Sequence, residues 1–275
     1  MTTAETAAVS LVHERVRHPL KARELRVTAV TDLTPRMRRV TFAGDLADFA
    51  SPGPADHVKL FFPNLDTGEH HAPSQGPDGM VAAAGEVLRR DYTPMPRADG
   101  QLDIDFFRHP NDGPAARWAE QAEVGQRLVS AGPRGSRLLP RAAQWYIIGG
   151  DETALPAISR ILTELGSRTR ATVLLEVTDQ DDETYPLPPG HDVRWLHRST
   201  ATSENVLEAA VRDIAVPEGP GLFWFGGEST SLRPVRRYLR RELELDPSWV
   251  LVDGYWKRGV AEHDHHAPVD PEDPE

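Results

Sequence analysis

Apolar residues recur with a period of two through the first half of the chain. The segments Leu25-Arg-Val-Thr-Ala-Val30, Met37-Arg-Arg-Val-Thr-Phe42, His57-Val-Lys-Leu-Phe-Phe62, Asp91-Tyr-Thr93, Leu102-Asp-Ile-Asp-Phe-Phe107 and Arg127-Leu-Val-Ser-Ala131 carry the pattern, divided by Gly, Pro, Asp and Asn. This predicts six short strands closing into an antiparallel barrel. One helix interrupts them at 113–122, with Pro114 in its first turn. Residues 1–20 have no clear period, and residues 65–85, rich in Gly, Pro, His and Ser, read as a long hairpin excursion.

From Trp145 the rhythm changes. Strands at 146–148, 172–177, 193–196, 222–225 and 250–252 alternate with helices at 154–165, 204–213 and 230–243, the order of a mostly parallel sheet covered by helices on both faces. The chain therefore divides into a barrel domain at 1–140, an α/β domain at 141–262 and a Pro- and acid-rich tail at 263–275 that is expected to be disordered. The first α/β strand ends on Gly149-Gly150, followed by Asp151 or Thr153 as a helix cap, Pro156 in the first turn and Gly166 as the C-terminal cap. Such a helix start offers free N–H groups to an anion such as a diphosphate, although the fuller G-x-G-x-x-G spacing is absent. Phe223-Trp-Phe-Gly-Gly-Glu-Ser-Thr230 repeats the form: apolar strand, paired glycines, acid, hydroxyl, helix. Two such turns on neighbouring strands would bracket one crevice at the carboxyl end of the sheet.

Composition narrows the function classes. With 31 basic and 42 acidic residues the formal charge is −11, which argues against a nucleic-acid or membrane-surface binder. The absence of cysteine excludes disulfides, thiolate zinc sites and cysteine-ligated iron–sulfur clusters. No apolar run approaches the ~20 residues that span a bilayer, so the cytoplasm is the expected location. The arginines between Arg233 and Arg241 flank an apolar stripe of Leu232, Val235, Leu239 and Leu243, which makes them a solvated helix face. His263, His265 and His266 lie in the tail and are not taken as a metal site.

A set of motifs runs in order from about Val27 to Ala261: Thr34-Pro-Arg-Met-Arg-Arg-Val-Thr-Phe42, Asp56-His-Val-Lys-Leu-Phe-Phe-Pro63, Arg90-Asp-Tyr-Thr-Pro94, Leu102–Phe107 with His109, and Gly113-Pro-Ala-Ala-Arg-Trp-Ala119. They continue with Ala131-Gly-Pro-Arg-Gly-Ser136, Gly150-Asp-Glu-Thr-Ala-Leu-Pro-Ala157, Gly227-Glu228 and Gly254-Tyr-Trp-Lys-Arg-Gly259. Together these resemble the siderophore-interacting proteins, flavin-dependent ferric-siderophore reductases with a ferredoxin-reductase-like architecture. The resemblance implies an FAD-binding β-barrel followed by a nicotinamide-nucleotide-binding α/β domain, with NADH or NADPH as electron donor and a ferric siderophore as acceptor.

Residue by residue, it gives Arg90 to the FAD diphosphate, Tyr92 to stacking on the isoalloxazine and Thr93 to a hydrogen bond near its redox-active edge. Phe106, Phe107 and His109 would wrap the FAD, the helix start at Gly113, Pro114, Ala115 and Ala116 would meet the diphosphate, and Trp256 would cover the flavin. Gly150, Asp151, Glu152, Thr153, Ala154, Gly227 and Glu228 would form the nicotinamide side. Lys59, Arg134 and Lys257 would supply positive charge for an anionic siderophore, while Arg39 and Arg137 read as surface charges. Two departures from the family pattern stand out: Met95 occupies a position usually held by arginine, with Arg97 nearby, and Ala116 replaces a hydroxyl residue. Choice of nucleotide is divided between the acids Glu176 and Asp179 and the bases Arg194 and Arg198. A monomer without a general acid or base is expected. The alternatives are a flavin reductase with another acceptor and a non-catalytic siderophore-binding protein.

Overall fold

The computed structural model describes residues 9–108 and 113–273. Its first half holds β1 (Arg15–Arg17), β2 (Ala22–Asp32), β3 (Met37–Gly44), β4 (Val58–Phe62), β5 (Ser74–Gly76), β6 (Gly79–Val81), β7 (Leu88–Tyr92), β8 (Met95–Pro96), β9 (Leu102–Phe107), α1 (Pro114–Glu120), β10 (Arg127–Ala131) and β11 (Gly135–Arg137). Seven strands form one antiparallel sheet in the order β7-β4-β10-β2-β3-β9-β8, so the six expected strands are joined by β8. That strand is two residues long and contains Pro96, too short to show alternation. Its presence matters for shape. The edge strands β7 and β8 are separated in the chain only by Thr93 and Pro94, so the sheet must curl until its edges approach. Alternate side chains, among them Val40, Phe42, Val58, Leu60, Ile104 and Phe106, fill the interior, and Trp118 and Ala119 of α1 pack on it.

The second half holds β12 (Trp145–Gly150), α2 (Leu155–Leu165), β13 (Ala171–Val177), β14 (Asp192–His197), α3 (Val206–Arg212), β15 (Gly221–Glu228), α4 (Ser229–Arg237) and β16 (Val250–Trp256). The strands lie parallel in the order β14-β13-β12-β15-β16. Tyr146 and Ile148 face the core that contains α2, whereas Ile147, Phe223 and Phe225 face the core that contains α3 and α4. Burial on both faces explains why β12 and β15 read as continuous apolar runs. Helix α4 is shorter than its apolar stripe predicts: Pro234 lies inside it, and Tyr238–Glu242 continues as a π-turn.

The tail differs from expectation. Instead of hanging free, residues 269–273 lie across α4, and His265 before them reaches the barrel. Val269 is buried in the core, and the enclosed carboxylate of Asp270 accepts from Arg237 Nε and Nη2 at 2.6 and 2.9 Å. Arg236, itself buried, donates to the carbonyl of Asp273 at 3.0 Å. The arginines read as a solvated face are therefore the dock of an acidic strap. Each segment is ordinary by composition, and only their complementarity orders the tail. Arg237→Gln removes the two bonds that hold the Asp270 carboxyl down at about 2 and leaves it the longer contact with Arg241 at 3.4 Å. Limited proteolysis of the tail is expected to speed up by about tenfold or more, and an unchanged rate would refute the docking.

The two halves are tied at several points. Arg36 bonds Asp179 at 2.7 and 3.1 Å and Asp182 at 2.9 Å. Arg39 pairs with the buried Asp105 through two bonds of 2.7 and 2.8 Å, and the Tyr185 hydroxyl donates to the same carboxylate at 2.7 Å. Arg39 is thus an interface residue, not the free surface charge that the sequence suggested. The N-terminal segment adds a third tie, with the Leu11 N–H donating to Ser248 Oγ at 2.7 Å and Trp249 Nε1 to the Val9 carbonyl at 2.7 Å.

Candidate active site

Strand order in the parallel sheet reverses between β12 and β15, and ligands of open α/β sheets bind at such switch points. There the two Gly-Gly turns lie side by side, with Gly149 opposite Phe225 and Gly150 opposite Gly226. Neither partner tolerates bulk. A Cβ on Gly150 would overlap the carbonyl oxygen of Gly226 and lie 2.7 Å from the Ala154 Cβ, and one on Gly227 would lie 2.7 Å from Asp151 Oδ2.

Asp151 ties the crevice together. Its Oδ1 accepts from the Thr153 N–H and hydroxyl at 2.9 and 2.5 Å, while Oδ2 accepts from the Glu228 N–H and Trp256 Nε1, both at 2.8 Å. Glu152 accepts from the Thr178 N–H at 3.0 Å and pairs with Arg198. Burial nevertheless pushes the Glu152 carboxyl up. Burial acts the same way on Glu228, but N–H donors from Arg258 and Ser231 outweigh it and lower its pKa. The expected nucleotide residues therefore converge, with Trp256 among them, and their carboxylates hold the turns in place. The bases and acids expected to choose the nucleotide are also engaged: Asp179 by Arg36, Arg198 by Glu152 and Glu176, and Arg194 loosely by Asp192 at 3.9 Å.

On the barrel side, β4 and β7 pair with Val58 opposite Tyr92 and Leu60 opposite Arg90, so Arg90 and Tyr92 share one face. The Tyr92 ring lies 4.5 Å from Phe106 and 6.2 Å from Phe62, and burial pushes its phenol up. Arg90 is partly exposed and, among the described residues, reaches only Glu262, at 3.4 Å, beyond its bond to the adjacent Arg89 carbonyl. Thr93 is buried at the seam of the curled sheet, where Arg160 of α2 donates to the Pro94 carbonyl at 2.8 Å. Phe106 and Phe107 point into different cores: Phe106 is fully enclosed in the barrel, and Phe107 packs on the α/β core. The seven-residue α1 begins at Gly113 with no side-chain cap on Pro114, Ala115 and Ala116. His109 lies outside the described residues.

The cations expected at the rim differ in their surroundings. Lys59 donates to both oxygens of Asp91 at 2.8 Å, Arg134 is exposed, and Lys257 forms an isolated bridge with Val260. Arg137 stands 3.8 Å from Asp253. Arg97, the neighbour of Met95, is held by Asp99 and Asp103 at 3.0 and 3.2 Å. Three residues escaped the sequence reading: Arg160, His57 and Tyr255. Burial above all pushes the Tyr255 phenol up, and its enclosed hydroxyl has no hydrogen-bond partner in the described structure. Tyr255 lies next to the paired tryptophan and lysine of its own motif, a position whose signal is topological.

Residues 26–137 match the sequence profile described as the siderophore-interacting FAD-binding domain, and residues 143–259 match the siderophore-interacting protein profile. The chain belongs to the siderophore-interacting protein family. Among relatives, the ferric vibriobactin reductase of Vibrio cholerae is 32% identical over 85% of this chain and 89% of its own length. The NADPH-dependent ferric-chelate reductase of Escherichia coli K12 is 32% identical over 88% and 96%. A solved siderophore utilization protein from T. fusca superimposes with a TM-score of 0.84 at 41% identity, covering 92% of this chain and all of that one. In this siderophore-interacting protein, as the barrel profile indicates, the first half is an FAD-binding domain. No helix among the described residues is long and apolar enough to cross a membrane.

Proposed function

We propose that the chain is an FAD-dependent ferric-siderophore reductase that uses NADH or NADPH and releases Fe(II), acting in the cytoplasm. The observation that carries this reading is the contact of β9 with the Glu152–Ala154 turn. Through it, the strand beside Tyr92 is packed directly onto the nucleotide crevice, which suits a short path between two stacked cofactors. Bound FAD would supply the chemistry, accepting hydride from the nicotinamide and passing single electrons to Fe(III).

The residues suit that group. Arg90 retains a guanidinium held only loosely by Glu262, which fits a diphosphate, and Tyr92 and Thr93 lie where a flat ring would cross the seam. The uncapped start of α1 offers main-chain donors. The orphaned Tyr255 hydroxyl, beside the ends of β15 and β16, is a donor that a ligand in the crevice would complete. Electron transfer to a bound ferric chelate asks no proton transfer of the protein. Its work is to bind and orient, with Arg134 and Lys257 at an open rim for anionic substrates.

The test is an anaerobic assay of the purified protein with NADH or NADPH, a ferric siderophore and a ferrous chelator. A yellow protein that forms the ferrous complex supports the proposal. One that cannot be reconstituted with FAD, or is reconstituted yet yields no Fe(II) from any siderophore class, refutes it. Arg90→Ala is expected to weaken FAD retention by about tenfold or more, since a charge-assisted phosphate contact is worth ~1.5–3 kcal/mol. Fluorescence titration with FAD measures it, and an unchanged affinity would remove Arg90 from the diphosphate site.

A further inference from the structure

Three potential metal ligands from distant parts of the chain meet on the outer edge of the barrel. His57 precedes β4, Asp91 lies on β7 and His265 is in the docked tail, and their ligand atoms all lie within 4.8 Å of one another. His265 Nδ1 is 3.2 Å from Asp91 Oδ2, and the His265 and His57 rings meet edge-on at 4.3 Å. Nε2 of His265 is buried without a hydrogen-bond partner among the described residues. His266 stands just outside, its ring 6.4 Å from His57.

We propose that His57, Asp91 and His265 form a binding site for a divalent first-row transition ion, completed when the tail docks, and that the ion it receives is Fe(II). Two imidazoles and one carboxylate are a donor set suited to iron, zinc and their neighbours, and leave further coordination positions open. Bonds of ~2.0–2.1 Å place tetrahedral donors ~3.4 Å apart, so shifts on the order of 1 Å in these side chains close the site. Lys59 now takes both oxygens of Asp91. An arriving ion would take one of them and leave the other to Lys59, which keeps the lysine in position as a rim cation.

The assignment to iron rests on the proposed reductase activity, because Fe(II) would then be set free beside Lys59. The site itself rests on geometry alone. The Val269 and Asp270 contacts hold the tail at α4, so His265 is delivered by an ordered strap and not by a wandering end.

Calorimetric titration of the full chain tests the proposal, with Zn²⁺ in air and Fe²⁺ under anaerobic conditions. The expected result is one equivalent of either ion, with affinity reduced by at least about tenfold in both His57→Ala and His265→Ala and unchanged in His71→Ala, a histidine elsewhere on the surface. Circular dichroism checks the fold of each variant. Limited proteolysis gives a second readout: Zn²⁺ should protect the tail in the parent chain and not in His57→Ala, whose tail sequence is intact. Several weak equivalents that are equal in all variants overturn the site. Binding of Zn²⁺ without Fe²⁺ overturns the assignment to iron. Neither titration needs nucleotide or siderophore, so a protein that binds both ions but reduces nothing refutes the proposed reaction and leaves the site standing.

Discussion

Gly150→Ala is expected to lower the melting temperature by ~6–12 °C and to abolish nicotinamide-dependent turnover while FAD binding persists. The added methyl meets the carbonyl oxygen of Gly226 on the neighbouring parallel strand, an atom fixed by the sheet on both sides. Overpacking commonly costs ~1–3 kcal/mol, and a backbone obstacle places this case at the upper end. At ~2–4 °C per kcal/mol for domains of this size, the shift follows. Strands β12 and β15 can relieve the overlap only by separating where Asp151 bonds the Glu228 N–H, so the crevice opens with them. Adding Ala154→Gly removes the 2.7 Å contact with the Ala154 Cβ but not the carbonyl, and should not restore activity. Calorimetry, nucleotide oxidation and flavin content are the measurements. Restored turnover in the double variant would show that the obstacle is the Ala154 side chain.

Arg39→Met is expected to cost about 3 kcal/mol at pH 8, the lower end of the range for breaking a buried pair because Arg39 keeps some exposure. Burial already raises the Asp105 pKa against the pull of Arg39 and the Tyr185 hydroxyl. Without the guanidinium it should rise further. A carboxyl whose folded pKa exceeds its unfolded value favours folding when protonated, so its contribution is present in acid and lost as pH rises through the folded pKa. The deficit of the variant relative to the parent should therefore shrink from pH 8 to pH 5. Adding Asp105→Leu, which removes the lone charge, should recover most of the loss at pH 8. Urea denaturation at the two pH values decides the matter, and an equal deficit at both would mean that the uncompensated carboxylate is not the cause.

Elements whose periodicity is imposed by burial were legible in the sequence. The strands Leu102–Phe107 and Arg127–Ala131 have the predicted limits, because each places alternate residues in a core. The paired Gly-Gly turns were legible for a related reason: only glycine fits where the backbones approach, and the repeated acid that follows is part of the local bonding. What remained hidden depends on partners far apart in the chain. Asp179 read as a nucleotide selector and is bonded to Arg36, Arg39 read as a surface charge and meets Asp105, and the acidic tail read as disordered and meets α4. Strand β8 was missed for want of length, and His57 and His265, 208 positions apart by number, show nothing until the tail is laid down.

The N-terminal segment, the Arg36 bridge and the returning tail all cross between the two halves. Each crossing is made by a different part of the chain, and a hinge would have to break all of them at once. On the proposed reading, the two cofactors would therefore keep a constant separation through the catalytic cycle. Such a protein works less like a jaw than like an electrode: its geometry is fixed, and the substrate makes and breaks the circuit by arriving at and leaving an outer face.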